Sequence, residues 1–66
     1  MTLSELGASI REERLRLGLS LFRAATRVRP PCHPNSVLLA ERGATSRVMA
    51  ARIARALGVT LSEDGQ

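Results

Sequence analysis

Apolar residues in this chain recur three and four positions apart, and no run alternates apolar with polar in the company of β-branched or aromatic residues. A period of about 3.6 residues belongs to the helix and leaves no strand from which to build a sheet. The expected fold is all-α, a compact bundle of four to five helices. With 66 residues there is room for one domain. Cys32 stands alone, so no disulfide within the chain can brace it. A core this small has to come from short helices that fit closely.

Caps and breakers divide the chain into four helices. The first is expected from about Leu3 to Leu17, opened by a capping box of Thr2 with Glu5 and closed by Gly18. Its apolar face carries Leu3, Leu6, Ile10 and Leu17, while Leu15 points away. The second is expected from about Leu21 to Val28 behind Ser20 as N-cap, with Ala24, Ala25 and Val28 inward. Arg29-Pro30-Pro31-Cys32-His33 reads as a turn, because two prolines do not propagate a helix. The third helix opens at Pro34, with His33 as N-cap, and ends near Arg42 before Gly43. Val37, Ala40 and Glu41 face inward on it; Asn35, Leu39 and Arg42 face outward, flanked by Ser36 and Leu38. The fourth is expected from about Arg47 to Leu57, capped by Thr45 or Ser46 and stopped by Gly58. Met49, Ile53, Ala56 and Leu57 share its inner face, with Arg52 and Arg55 to one side. Residues 1–61 thus read as one domain and 62–66 as a short acidic tail.

Two charges fall on inner faces. Arg14 lies inward on the first helix and Glu41 inward on the third. A buried charge without a partner is strongly destabilising, so each is the natural counter-ion of the other. The pair is expected to be structural and to fix the third helix against the first. The competing expectation is that Arg14 runs its stem along the surface to water.

Composition narrows the function. The formal net charge is +4, and every basic residue is arginine. From Arg14 to Ser62 there are nine arginines against one acid, Glu41, which is the footprint of a polyanion binder as well as of an arginine-rich solvated surface. Phe22 is the only aromatic residue, so the stacking platform that holds single-stranded nucleic acid is nearly absent, which argues against RNA or single-strand binding and leaves duplex DNA open. No enzyme, metal or cofactor is expected. Cys32 and His33 have no second ligand pair, no glycine-rich phosphate loop is present, and no nucleophile–base constellation can be assembled around a single histidine. Cys32 reads as a small apolar plug in the turn. No apolar run approaches about 18 residues and no secretory leader is visible, so neither a membrane nor export is expected.

Three segments, in order, carry a family resemblance: Arg14-Leu15-Arg16-Leu17-Gly18-Leu19-Ser20, Ala40-Glu41-Arg42-Gly43, and Ile53-Ala54-Arg55-Ala56-Leu57-Gly58-Val59-Thr60-Leu61. Together they resemble the first junction, the end of the recognition helix and the fourth helix of Cro-type (XRE family) phage repressors, whose fold is the lambda-repressor-like helix-turn-helix. The resemblance runs from about Leu6 to Leu61, and its inter-helix Arg–Glu pair falls on Arg14 and Glu41. It implies a bacterial or phage-encoded, nucleoid-associated cytoplasmic regulator. Such a protein binds double-stranded DNA as a homodimer on a palindromic operator, represses by occupying a promoter and often regulates its own gene.

By the same resemblance the start of the third helix enters the major groove. Pro34, Asn35, Ser36 and Leu39 then face base edges, with Asn35 able to pair bidentately with adenine and Leu39 able to touch a thymine methyl. His33, Arg42 and Arg47 would meet phosphates, as would Arg23, Arg27 and Arg29. No small-molecule effector is expected. The sequence departs from the family in four places. Leu21 stands where glutamine is frequent, the turn before Pro34 is about two residues longer, Leu38 and Leu39 occupy positions commonly polar, and the chain stops where a fifth helix would form. A second expectation follows from Leu38 and Leu39: a helix-turn-helix module used for protein contact, such as an adaptor or antitoxin-like partner, anchored by those leucines.

Overall fold

A computed structural model describes residues 1–60; Leu61 and the expected acidic tail at 62–66 lie outside the described residues. Within that range the chain is all-helical, in four helices: α1 (Leu3–Arg16), α2 (Leu21–Arg27), α3 (Pro34–Glu41) and α4 (Arg47–Leu57). α1 packs on α3 and α4, and α2 packs on the same two helices. The core sits where these faces meet.

Helix starts follow from local chemistry. The Thr2 hydroxyl accepts from Glu5 N at 3.0 Å and Glu5 Oε1 accepts from Thr2 N at 2.8 Å, closing the capping box. The Glu5 carboxyl is held below its ordinary pKa, first by the bond from the Thr2 backbone N–H. Ser20 caps α2 through Arg23 N, and Ser46, rather than Thr45, caps α4 through Met49 N. On the solvent side of α1, Arg16 pairs with Glu13 and holds that carboxyl below its usual range.

Helix ends come slightly earlier than the apolar period suggests. Gly18 and Gly43 both have φ of +71°, a conformation that side chains with a Cβ rarely adopt. At each, two N–H groups fold back on the last turn: Gly18 N to Leu15 O and Leu19 N to Arg14 O, then Gly43 N to Ala40 O and Ala44 N to Leu39 O. α1 therefore ends at Arg16, and Leu17, expected on the buried face, is a cap residue with 37% of its surface exposed. α3 ends at Glu41 with Arg42 as its cap. Val28 is the extended residue after α2 rather than its last turn, yet it is fully buried.

The core is built from small side chains. Ala24, Ala25, Ala40, Ala50 and Ala54 are five of the eleven buried apolar residues among those described, which favours close approach of the helix backbones. Ile10, Ile53, Val28 and Val37 are its largest fully buried members. On α4 the buried face is Ala50, Ile53, Ala54 and Leu57, while Met49 and Ala56, expected inward, are only half-buried at its edge. The buried face of α4 is thus turned by about one residue toward its alanines.

The tightest approach is at Gly7, buried in the middle of α1. A Cβ there would stand 2.4 Å from the Ala40 carbonyl oxygen and 2.6 Å from that of Glu41. Glycine inside a helix ordinarily weakens it by about 0.5–1 kcal/mol relative to alanine. Here it opens the space in which the end of α3 lies against α1.

The Arg14–Glu41 pair spans the same contact. Arg14 Nε donates to Glu41 Oε2 at 2.5 Å and Nη2 donates to Oε1 at 3.2 Å, a two-point fork. Nη1 donates to the Leu19 carbonyl at 2.9 Å. The side chains are 13% and 3% exposed, so Arg14 does not escape to water.

Two stability outcomes are expected, both measured by urea unfolding of the full chain. Gly7→Ala destabilises by about 1–3 kcal/mol, the usual range for overpacking, against the gain that helix propensity alone would give. Glu41→Ala destabilises by about 3–5 kcal/mol by leaving Arg14 buried without a counter-charge, and Arg14→Met with Glu41→Leu recovers most of that loss.

Candidate nucleic-acid interface

α3 presents one side to the core and one to solvent. Val37 and Ala40 are buried and Glu41 is turned in to Arg14, so the rows through Asn35 and Arg42 are left outward. Asn35 and Arg42 are exposed, while Pro34, Ser36, Leu38 and Leu39 are half-buried. Leu38 and Leu39 thus share their apolar surface between the fold and solvent and form no fully exposed patch.

The start of α3 is held by an unusual cap. His33 is extended, with ψ of 144°, and its Nδ1 accepts from Asn35 N at 2.9 Å. The acceptor must be the unprotonated ring nitrogen, so the remaining N–H is on Nε2 when the imidazole is neutral. The His33 carbonyl accepts from Ser36 N at 2.8 Å. Pro34 at the first position has no N–H to satisfy and sets its φ for the helix. Together these fix the backbone beneath Asn35.

Ahead of the cap, the proline turn is folded onto α2 and α4. The Arg29–Pro30 peptide bond is cis. Cys32 N donates to the Ala25 carbonyl at 3.3 Å, and the half-buried Cys32 side chain packs against the core. Partial burial pushes its thiol above the ordinary value, against the nearby Arg52 charge that lowers it. Arg52 Nη2 reaches across from α4 to the Pro30 carbonyl at 3.0 Å, a bond between residues 22 positions apart.

The structure sorts the arginines that charge alone treats as equals. Arg42, at the end of α3, is exposed, as is Arg23 in the first turn of α2. Arg47 is exposed, and its Nη1 donates to the Met1 carbonyl at 3.3 Å, tying the start of α4 to the start of the chain. Arg29 Nη1 donates to the Thr26 carbonyl at 3.0 Å and covers the end of α2. Arg27 and Arg29 lie not with α3 but around a pocket shared with Arg52, Arg55 and Ala56.

Sequence reasoning passes over Gly7 and gives Arg52 and Arg55, placed to one side of the fourth helix, no role. A glycine in mid-helix is itself a signal of close backbone approach. Arg52 and Arg55, three apart, lie on one side of α4, but only the crossing of α2 and α4 gives that side its neighbours. Among the described residues no three of His, Cys, Asp and Glu converge in a way that could hold a metal ion, and no helix is long and apolar enough to cross a membrane. Compared with protein-family models, with curated proteins and with solved structures, the chain finds no match.

The cap geometry carries an expected outcome. His33→Ala lowers stability by about 0.5–2 kcal/mol in thermal or urea unfolding, whereas His33→Ser, a better N-cap, leaves it equal or higher. Equal loss in both variants would mean that the imidazole acts through packing instead.

Proposed function

We propose that the chain binds double-stranded DNA through α3 and regulates transcription. The observation that carries this reading is the mounting of α3. A forked ion pair and a backbone contact at Gly7 lock its inner side, while its outer side and capped N-terminus carry polar and cationic groups free to meet a ligand. Precise placement of a few side chains on a rigid element is what base readout requires. In this reading α2, turn and α3 form the helix-turn-helix of a Cro-type (XRE family) repressor, and α3 enters the major groove from its N-terminal end.

Asn35 is the principal base reader, an exposed amide with two donors and an acceptor that suit adenine N6 and N7. Ser36 and Leu39 flank it, and Pro34 contributes apolar contact. Arg42, Arg23 and the Nε2 side of His33 contact phosphates. Arg47 keeps one nitrogen on the Met1 carbonyl and offers the rest of its fork to the backbone. Two copies bind a palindromic site and repress by occupancy of a promoter.

A second reading, contact with a protein partner, is favoured by exposed apolar side chains rather than by Leu38 and Leu39. Phe22 is 63% exposed and Leu15 51% exposed, near the junction of α1 and α2.

Selection from a random duplex pool at near-physiological salt tests the first reading. The expected result is a palindromic motif with half-sites about one helical turn apart. Asn35→Ala is expected to lose about 1–3 kcal/mol of discrimination at one base position. Arg42→Ala weakens all duplexes alike and lowers the salt slope by about one. Absence of any motif, with a partner interaction lost on Phe22→Ser, supports the second reading.

A further inference from the structure

Four arginines that the proposed α3 interface does not use lie in one place. Arg27 and Arg29, from the end of α2 and the turn after it, and Arg52 and Arg55, from one side of α4, line a pocket of about 330 Å³ with Ala56. No residue of α3 lines it. The volume stands at the lower end of the range for small-molecule sites, ~300–1,000 Å³.

Its electrostatics are one-sided. Of the four side-chain carboxylates in the described residues, Glu41 pairs with Arg14, Glu13 with Arg16, Glu5 closes the capping box and Glu12 is exposed on α1; none lines the pocket. Arg29 and Arg52 each spend one nitrogen on a backbone carbonyl, Thr26 O and Pro30 O, and are thereby held in place with donors to spare. Those two bonds also answer carbonyls at the end of α2 and in the turn that would otherwise repel an anion. Four like charges, two of them held by hydrogen bonds, line one open pocket and repel one another, and an anion placed among them relieves that repulsion.

We propose that Arg27, Arg29, Arg52 and Arg55 form a binding site for the diphosphate group of a small molecule, separate from the α3 surface. Guanidinium forks match phosphoryl oxygens two at a time. A single phosphate carries at most about −2 and leaves half of the four positive charges uncompensated, whereas two linked phosphoryl groups come close to balance. Besides the guanidinium groups the lining is Ala56 and the arginines' own methylene stems, with no aromatic ring to stack on a base, so recognition rests on the diphosphate. The site goes beyond what the sequence implies, where no small-molecule effector is expected.

Inorganic pyrophosphate is the probe, titrated into the full chain at ~150 mM salt and followed by calorimetry and by backbone amide shifts. The expected result is saturable one-to-one binding that moves the amides of residues 26–30 and 52–56, with orthophosphate weaker by about tenfold or more. Arg27→Gln and Arg55→Gln, each removing a guanidinium that bonds nothing else in the described residues, weaken pyrophosphate by about tenfold while thermal stability without ligand is retained. Three results overturn the proposal: no saturation by pyrophosphate, equal affinity for orthophosphate, or unchanged affinity in both variants. A site that instead grips the DNA backbone shows unsaturable pyrophosphate binding together with a duplex salt slope lowered by about two in Arg27→Gln/Arg55→Gln.

Discussion

One guanidinium holds three parts of this fold in register. Arg14 starts on α1, forks onto Glu41 at the end of α3, and donates its remaining nitrogen to Leu19 in the junction that leads to α2. The backbone carbonyl of Arg14 in turn accepts from Leu19 N, so the same residue closes α1 and begins the path to α2. A buried ion pair contributes little net stability once desolvation is counted, and its worth lies in what it forbids. Any sliding of α3 along α1 separates the fork and leaves two charges without water or partner. The Gly7 contact works in the same direction, because the carbonyls of Ala40 and Glu41 fit only where α1 has no Cβ.

Such a constraint matters in a core with so little apolar volume. Helices of seven and eight residues, such as α2 and α3, are not stable alone, since isolated helices shorter than ~12–15 residues are marginal in water. They persist because alanine faces bring them close to longer partners. Close approach through small residues is sensitive to register, as most one-residue shifts replace an alanine by a larger or charged neighbour, such as Arg23 beside Ala24 or Arg55 beside Ala54. A single specific polar contact therefore complements a core whose shape alone is weakly selective.

The arginine surplus divides into distinct kinds once the chain is folded. Arg14 is buried, Arg16 is paired on the solvent side of α1, and Arg29, Arg47 and Arg52 are moored to backbone carbonyls. Arg23 and Arg42 remain for an interface, and Arg27 and Arg55 complete the walls of a pocket. An even spread of positive charge gives non-specific attraction to any polyanion. Fixed guanidinium groups with defined neighbours make geometry-dependent contacts instead, and mooring through one nitrogen is what fixes them.

Caps and turns were legible in the sequence, and inner faces in part, because they depend on neighbours within four or five positions. Thr2 with Glu5, Ser20, Ser46 and the glycines at 18 and 43 act through their own turn of backbone. Helical period brought Arg14 and Glu41 to inner faces, and the low dielectric there makes each require a counter-charge. Tertiary structure alone decided that Leu17 lies outside, that Ala50 and Ala54 and not Met49 and Ala56 are fully buried, and that Gly7 meets the carbonyls of α3. It also decided that Arg52 reaches Pro30 and that four arginines from α2, its turn and α4 surround one cavity. Period places a residue on a face but says nothing of the angle and depth at which two faces cross. In this protein the clearest of the close backbone contacts are at Gly7, against the carbonyls of Ala40 and Glu41, and at Gly43, against the backbone of Ser4.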